Sequence, residues 1–169
     1  AAEAEPQDGN AATDATETGP LTTLHSVMND QPLIDAYHHP DLRRTRSAMQ
    51  SMIPVSTGLA RGIERLLPGL NGKIDAKAIR IPVPNVSAIE LVATLLRDAD
   101  EEPVQDLLRG LAADSGGRIE WSEEPHASTD FIHCPQSAII DGSQTRLAGH
   151  RLLNLFVWFD NEWGFANRM

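Results

Sequence analysis

Apolar positions recur in two periods along this chain. Leu21 to Val27 reads Leu, Thr, Thr, Leu and Val with a histidine near its end, which predicts a strand. Leu59, Ile63, Leu66 and Leu67 stand at i, i+4, i+7 and i+8, behind a hydroxyl cap in Ser56-Thr57-Gly58 and ahead of Pro68-Gly69. That spacing predicts one short amphipathic helix. Two β-branched runs, Ala76 to Val83 and Val86 to Arg97, flank Pro84-Asn85 and predict neighbouring strands joined by a tight connection. Pro103 suits a first helical position, and Val104, Leu107, Leu108, Leu111 and Ala112 continue a helical stripe up to Gly116-Gly117. Ile119 to Ser122, Ser137 to Asp141 and Leu152 to Phe159 are short strand candidates, and a last helix is expected to begin at Asp160 or Asn161 and end after barely two turns at Met169.

Met28 to Val55 shows no period. It holds Pro32, Pro40 and Pro54 and the basic group Arg43, Arg44 and Arg46, and a connection this long is expected to be a functional loop. Strands therefore outnumber helices and several adjoin directly in sequence, which predicts an α+β fold and not alternating βαβ units. Each helix shows one apolar stripe, so a mostly antiparallel mixed sheet with its helices on one face is the simplest packing.

Charge narrows the classes of partner. With 14 Lys+Arg against 24 Asp+Glu, the net −10 opposes polyanion binding, so nucleic acid is not expected. Residues 1–20 carry Glu3, Glu5, Asp8, Asp14 and Glu17, no basic residue and no large apolar side chain, and are expected to be a disordered acidic tail. They do not read as a secretory signal, and no segment approaches the ~20 apolar residues of a membrane span. The single Cys134 has no internal disulfide partner, in keeping with a cytoplasmic setting.

Two segments, Leu21-Thr-Thr-Leu-His-Ser-Val-Met-Asn-Asp30 and Phe156-Val-Trp-Phe-Asp-Asn-Glu-Trp-Gly-Phe-Ala-Asn-Arg-Met169, resemble the glyceraldehyde-3-phosphate dehydrogenase family. From Leu21 onward the chain looks like the catalytic domain of its erythrose-4-phosphate dehydrogenase branch. The resemblance implies NAD as cofactor, a phosphorylated aldose as substrate and a homotetramer. It also implies a nucleotide-binding domain and a nucleophilic cysteine before Leu21.

Taken residue by residue, the resemblance makes His25 the catalytic base. An imidazole beside a cysteine draws off the thiol proton, the thiolate attacks the aldehyde carbon, and the ring then assists hydride departure to NAD. On composition alone, a histidine at a strand end is better explained by a simple hydrogen bond, and it is the surrounding motif that favours the base. Arg44, in Asp41-Leu-Arg-Arg-Thr-Arg46, and Arg80, in Ile79-Arg-Ile-Pro-Val-Pro-Asn85, fall where the family places substrate-phosphate arginines. A guanidinium offers forked donors to phosphate oxygens and keeps its charge. Arg80 interrupts an apolar strand, which itself demands a partner or a site. Thr57 and Gly58 match a family pair that binds an anion at a helix start, although a plain N-cap explains the same residues. Asn161 matches the asparagine that meets the nicotinamide carboxamide, and it too could be a cap.

Met28 separates this chain from the glycolytic members, which carry a small hydroxyl residue there. A thioether donates no hydrogen bond and serves phosphate poorly, and the erythrose-4-phosphate branch shares His-Ser-x-Met-Asn-Asp. The expected reaction is oxidation of D-erythrose 4-phosphate to 4-phosphoerythronate, a step toward pyridoxal phosphate, with glyceraldehyde 3-phosphate as the alternative substrate. A non-catalytic fragment that binds sugar phosphate or intact subunits is the alternative of another class. Residues 1–20 hold no Ser-Cys-Thr-Thr-Asn segment, and no Gly-x-Gly-x-x-Gly occurs. Residues 21–169 are therefore expected to be a catalytic domain cut short in its last helix, without its NAD-binding domain and inactive alone. Cys134 is a poor nucleophile candidate, because it and His133, if neighbours on a strand, point to opposite faces. His38-His39 lack further ligands at metal spacing, His126 and His150 are expected at the surface or in loops, and no metal is expected.

Overall fold

A computed structural model describes residues 15–36 and 40–169. The expectations for residues 1–14 and for His38 and His39 lie outside the described residues. Eight strands form one mixed sheet: β1 (Thr16–His25), β2 (Ile53–Val55), β3 (Ile74–Arg80), β4 (Ser87–Leu95), β5 (Ile119–Ser122), β6 (Ala138–Asp141), β7 (Arg146–Ala148) and β8 (Leu152–Phe159). Their order is β2-β3-β1-β4-β8-β6-β5, with β7 paired to β8. β1 with β3 and β5 with β6 run parallel, and the other pairings are antiparallel. The helices are α1 (Leu59–Leu66), α2 (Glu101–Ala113) and α3 (Asn161–Ala166). The fold is thus α+β, as the sequence pattern predicts.

Strand alternation sorts the side chains onto two faces. Leu21, Ile74 and Leu70 form a buried cluster against Leu59 and Ile63 of α1, with Ile89 and Leu91 of β4 beside them. Removing each large side chain of this kind from water contributes about 1.5–3 kcal/mol. Arg109 of α2 stacks over the Trp121 ring at 4.9 Å. Register carries that position through Ile140 and Val157 to Ile89, so α2 lies over the same face as α1. A second cluster of Val86, Phe131 and Ile139 takes in Cys134 and Trp158.

Several expectations are corrected. β1 starts at Thr16, not Leu21, so residues 16–20 are sheet and not tail: Gly19 pairs with Ile74, Pro20 with Asp75, and the Gly19 N–H donates to the Lys73 carbonyl at 2.9 Å. β3 and β4 are not neighbours, because β1 lies between them and pairs with both. α2 begins at Glu101 after Asp100, which places Pro103 third in the helix and not first. His133 and Cys134 lie in a turn, not a strand, with His133 at φ 62. The loop from Met28 to Val55 contains a 3-10 turn at Leu42–Thr45 and, at its end, β2. Among the described residues no helix is long and apolar enough to cross a membrane.

Candidate functional site

His25 and Arg80 are the last residues of the parallel strands β1 and β3 and are register partners. Partners across a parallel ladder project from the same face, so the imidazole and the guanidinium leave the sheet together. The chain beyond each strand is tied down: the Ile81 N–H donates to the His25 carbonyl at 2.8 Å, Val27 N–H to Val83 O at 3.0 Å and Ser26 N–H to Ser87 Oγ at 3.0 Å.

His25 Nδ1 is 2.8 Å from the Ser26 carbonyl oxygen. A carbonyl only accepts, so this contact assigns the proton to Nδ1 and leaves the Nε2 lone pair of a neutral ring free to take a proton. Phe159, the last residue of β8, meets the ring edge to face with centroids 6.5 Å apart.

Arg80 is 6% exposed, and its charge is met by Asp30: Nη1 donates to Oδ1 at 2.6 Å and Nη2 to Oδ2 at 3.2 Å. This is the partner that an arginine in an apolar strand demands. Arg44 enters from the 3-10 turn at Leu42–Thr45, which the Asp41 carboxylate caps by accepting from Arg43 N–H. Its Nη1 is 3.9 Å from Asp30 Oδ2, so one carboxylate gathers both arginines. Asp30 and Arg44 also line a cavity of about 350 Å³ with Asn29, Gln31, Pro32 and Ala36. Ala36 N–H donates to Thr45 O and Ala48 N–H to Pro32 O, which folds the loop back on itself and fixes the turn bearing Arg44.

Thr57 and Gly58 are not brought to these residues by any hydrogen bond or ion pair among the described residues. β2 runs antiparallel to β3 with Ile53 opposite Arg80 and Val55 opposite Ala78, so the chain leaving β2 travels away from Arg80. Gly58, not a hydroxyl residue, is the N-cap of α1, and Thr57 Oγ accepts from Leu59 N–H at 3.2 Å from one position earlier. Asn161 opens α3, yet the cap is Asp160, which accepts from Trp163 N–H at 2.9 Å. Asn161 is exposed and donates only to Glu162, at 3.3 Å, among the described residues. Register places it at the His25 end of the sheet, since Phe159 pairs with Ser87 and Leu24 with Ala88.

Cys134 lies apart from this constellation. It packs on the Val86 cluster, and burial, aided by the charges of Glu120 and Asp160, pushes its thiol up and keeps it protonated.

Two groups that sequence reasoning did not single out, Asp30 and Asp160, are carboxylates tied to the candidate residues. Hydrogen bonds from Arg80 hold the Asp30 carboxyl below its ordinary 3.8; partial burial opposes them, and the charges of Arg80 and Arg44 add to them. Burial pushes the Asp160 carboxyl up, but hydrogen bonds from Trp163 N–H, His133 N–H and the Asn85 amide together bring it below 3.8. Both groups therefore bind protons less readily in the folded chain than in the unfolded one. Their contribution to stability is complete above about pH 4 and is lost as pH falls through the lower folded values. Denaturant midpoints are expected to drop from about pH 4 downward, and the drop should be shallower in an Asp30→Asn, Asp160→Asn double variant. An acid limb of unchanged steepness in that variant would assign it to other carboxylates.

Residues 13–161 match the family model described as glyceraldehyde 3-phosphate dehydrogenase, C-terminal domain. The chain belongs to this family. The match begins before Leu21, in agreement with a first strand that starts at Thr16. A dehydrogenase-family domain in which a histidine and a buried arginine end adjacent parallel strands, with a second arginine held by the same carboxylate, has the parts for anionic substrates. The family generally uses NAD, whose binding domain is not included in the matched region.

Proposed function

We propose that this is the catalytic domain of an NAD-dependent aldehyde dehydrogenase that oxidises D-erythrose 4-phosphate to 4-phosphoerythronate. The observation that carries the reading is Asp30, which holds Arg80 and Arg44 side by side while Arg80 pairs in register with His25. Two guanidinium groups beside a proton-accepting imidazole suit an aldehyde with a phosphate at its far end. A phosphate with its two charges would draw Arg44 from the 3.9 Å contact with Asp30, the looser of the two ion pairs. His25 Nε2 takes the proton of a cysteine thiol supplied with the nucleotide-binding half, gives it to the alkoxide oxygen formed when the thiolate adds to the aldehyde, and takes it back as hydride departs; water then breaks the thioester, releasing the acid and restoring the thiol. NAD supplies the hydride acceptor. The Asn161 amide, exposed at the same end of the sheet, has the donor and acceptor to meet a carboxamide.

Met28 supports the four-carbon substrate. It is 37% exposed two positions before Asp30 in the chain, and a thioether offers no hydrogen bond of the kind a hydroxyl would give a triose phosphate. Initial rates of NADH formation in the complete enzyme built on this domain are the test. Erythrose 4-phosphate is expected to exceed glyceraldehyde 3-phosphate in kcat/KM, and Met28→Thr to shift the ratio about tenfold toward the triose, the size of one hydrogen bond to a charged group. A wild-type preference for the triose would return the domain to the alternative substrate.

A further inference from the structure

We propose that Asp160 is a positioning residue: its carboxylate fixes the corner between β8 and α3 and so aims Phe159 at the His25 ring and Asn161 toward a nicotinamide. This rests on the role given to Asn161 above. Asp160 is 2% exposed, and a buried carboxylate persists only when its oxygens are met by donors. Three meet it, each at 2.9 Å: Trp163 N–H at Oδ1, and the Asn85 side-chain amide and His133 N–H at Oδ2.

A helix cap needs only the first of these. The other two come from the β3–β4 connection and from the turn after Phe131, neither of which α3 requires in order to start. Both are costly to hold. His133 has φ 62, and Val86, whose N–H donates to Asn85 Oδ1 at 2.6 Å, has φ 64. Positive φ at a β-branched residue is an outlier that survives only where its surroundings over-determine it. Asp160 is the group common to both strained positions, and it stands between the two residues that face the site. Its predecessor Phe159 lies against the imidazole, and its successor Asn161 carries the exposed amide. The strain is thus spent on holding this corner in one orientation, where a helix cap alone would leave it free to turn.

The test uses the full chain and two NMR readouts taken well below its melting temperature. One is the ring-current displacement that Phe159 imposes on the His25 ring protons. The other is the shift of the Asn161 side-chain amide on titration with nicotinamide mononucleotide. Asp160→Ser keeps a capping oxygen for Trp163 N–H but removes the second oxygen, and Asp160→Asn turns one acceptor into a donor facing donors. Both are expected to collapse the ring-current displacement and to weaken nicotinamide mononucleotide about tenfold. Combining Asn85→Asp with Asp160→Asn restores that donor–acceptor pair with the roles exchanged but leaves His133 N–H facing the new amide NH2, and should recover only part of both signals. A folded Asp160→Ser chain with the His25 signals and the affinity of wild type would reduce Asp160 to a cap and overturn the proposal. If the wild-type chain takes up no nicotinamide mononucleotide while the His25 signal still depends on Asp160, the positioning of Phe159 stands and the role given to Asn161 falls.

Discussion

Arg80→Ala is expected to lower kcat/KM for a phosphorylated aldehyde by roughly 10²–10³-fold and to leave an unphosphorylated aldehyde of the same length nearly unaffected. The guanidinium is almost fully buried and bonds Asp30 in a forked geometry, so its loss removes a fixed cation and two aligned donors together. Its removal does more than subtract one cation. Asp30 would keep its negative charge in a place arranged for two positive ones, and that charge would then hold Arg44 more tightly and face the incoming phosphate. Arg80→Lys restores the charge without the fork and should recover only part of the loss. The stability cost should fall near 1–3 kcal/mol, below the 3–5 typical when a fully buried pair is broken, because Asp30 is 44% exposed and rehydrates in place. Steady-state kinetics on the two aldehydes, with a denaturant melt of each variant, separate the two effects. Equal losses on both aldehydes would mean that Arg80 supports the fold near His25 and does not grip phosphate.

Much of the fold was legible because burial imposes a period on sequence. The helix read from Leu59, Ile63, Leu66 and Leu67 spans Leu59–Leu66 with Leu67 as its C-cap, and the run Leu152 to Phe159 is β8 residue for residue. Strand order was not legible. Alternation says which face a side chain takes but not which strand lies alongside, so β3 and β4 looked adjacent although β1 passes between them. The cap of α1 was misplaced by one residue, since a threonine beside glycine reads as the cap when in fact Gly58 holds that position and Thr57 reaches in from outside.

The candidate site divides in the same way. His25, Arg44, Thr57, Gly58, Arg80 and Asn161 were named through motif resemblance, whereas Asp30, which pairs with both arginines, and Asp160, which precedes Asn161, were not singled out. Asp30 lies 50 positions from Arg80 along the chain, and Asp160 lies 75 from Asn85 and 27 from His133. Pairings at such separations leave no periodic trace. What could have found Asp30 was the demand created by Arg80 itself: a charge within an apolar strand requires an opposite one, and Asp30 closes the very motif that holds His25.

Gly19→Val is expected to destabilise the chain by about 3 kcal/mol or more, which for a domain of this size lowers the melting temperature by roughly 6–12 °C. The reason is a close approach of backbones. A Cβ at Gly19 would overlap the Val92 carbonyl oxygen and stand 3.0 Å from the Ala93 Cα, both in the adjoining strand β4. A clash with backbone has no soft side chain to yield, so either β1 separates from β4 or the register slips, and a slip of one residue would turn Leu21 and Thr23 out of the core. Thr16-Glu-Thr-Gly-Pro20 was misread as tail for the same physical reason. Polar residues with a glycine and a proline are what turns and linkers use, and here the glycine serves contact between strands. The β1–β4 register runs unchanged across Pro20, from Thr18 opposite Thr94 to Leu21 opposite Leu91, and its one irregularity falls between Thr16 and Thr18. Gly62→Ala is the matched control: it lies inside α1, its Cβ would meet nothing within 4 Å, and it is expected to stabilise by about 0.5–1 kcal/mol through helix propensity and reduced unfolded-state freedom. A Gly19→Val chain that melts with wild type would show that residues 16–20 contribute nothing to the sheet, and the first strand would then begin at Leu21.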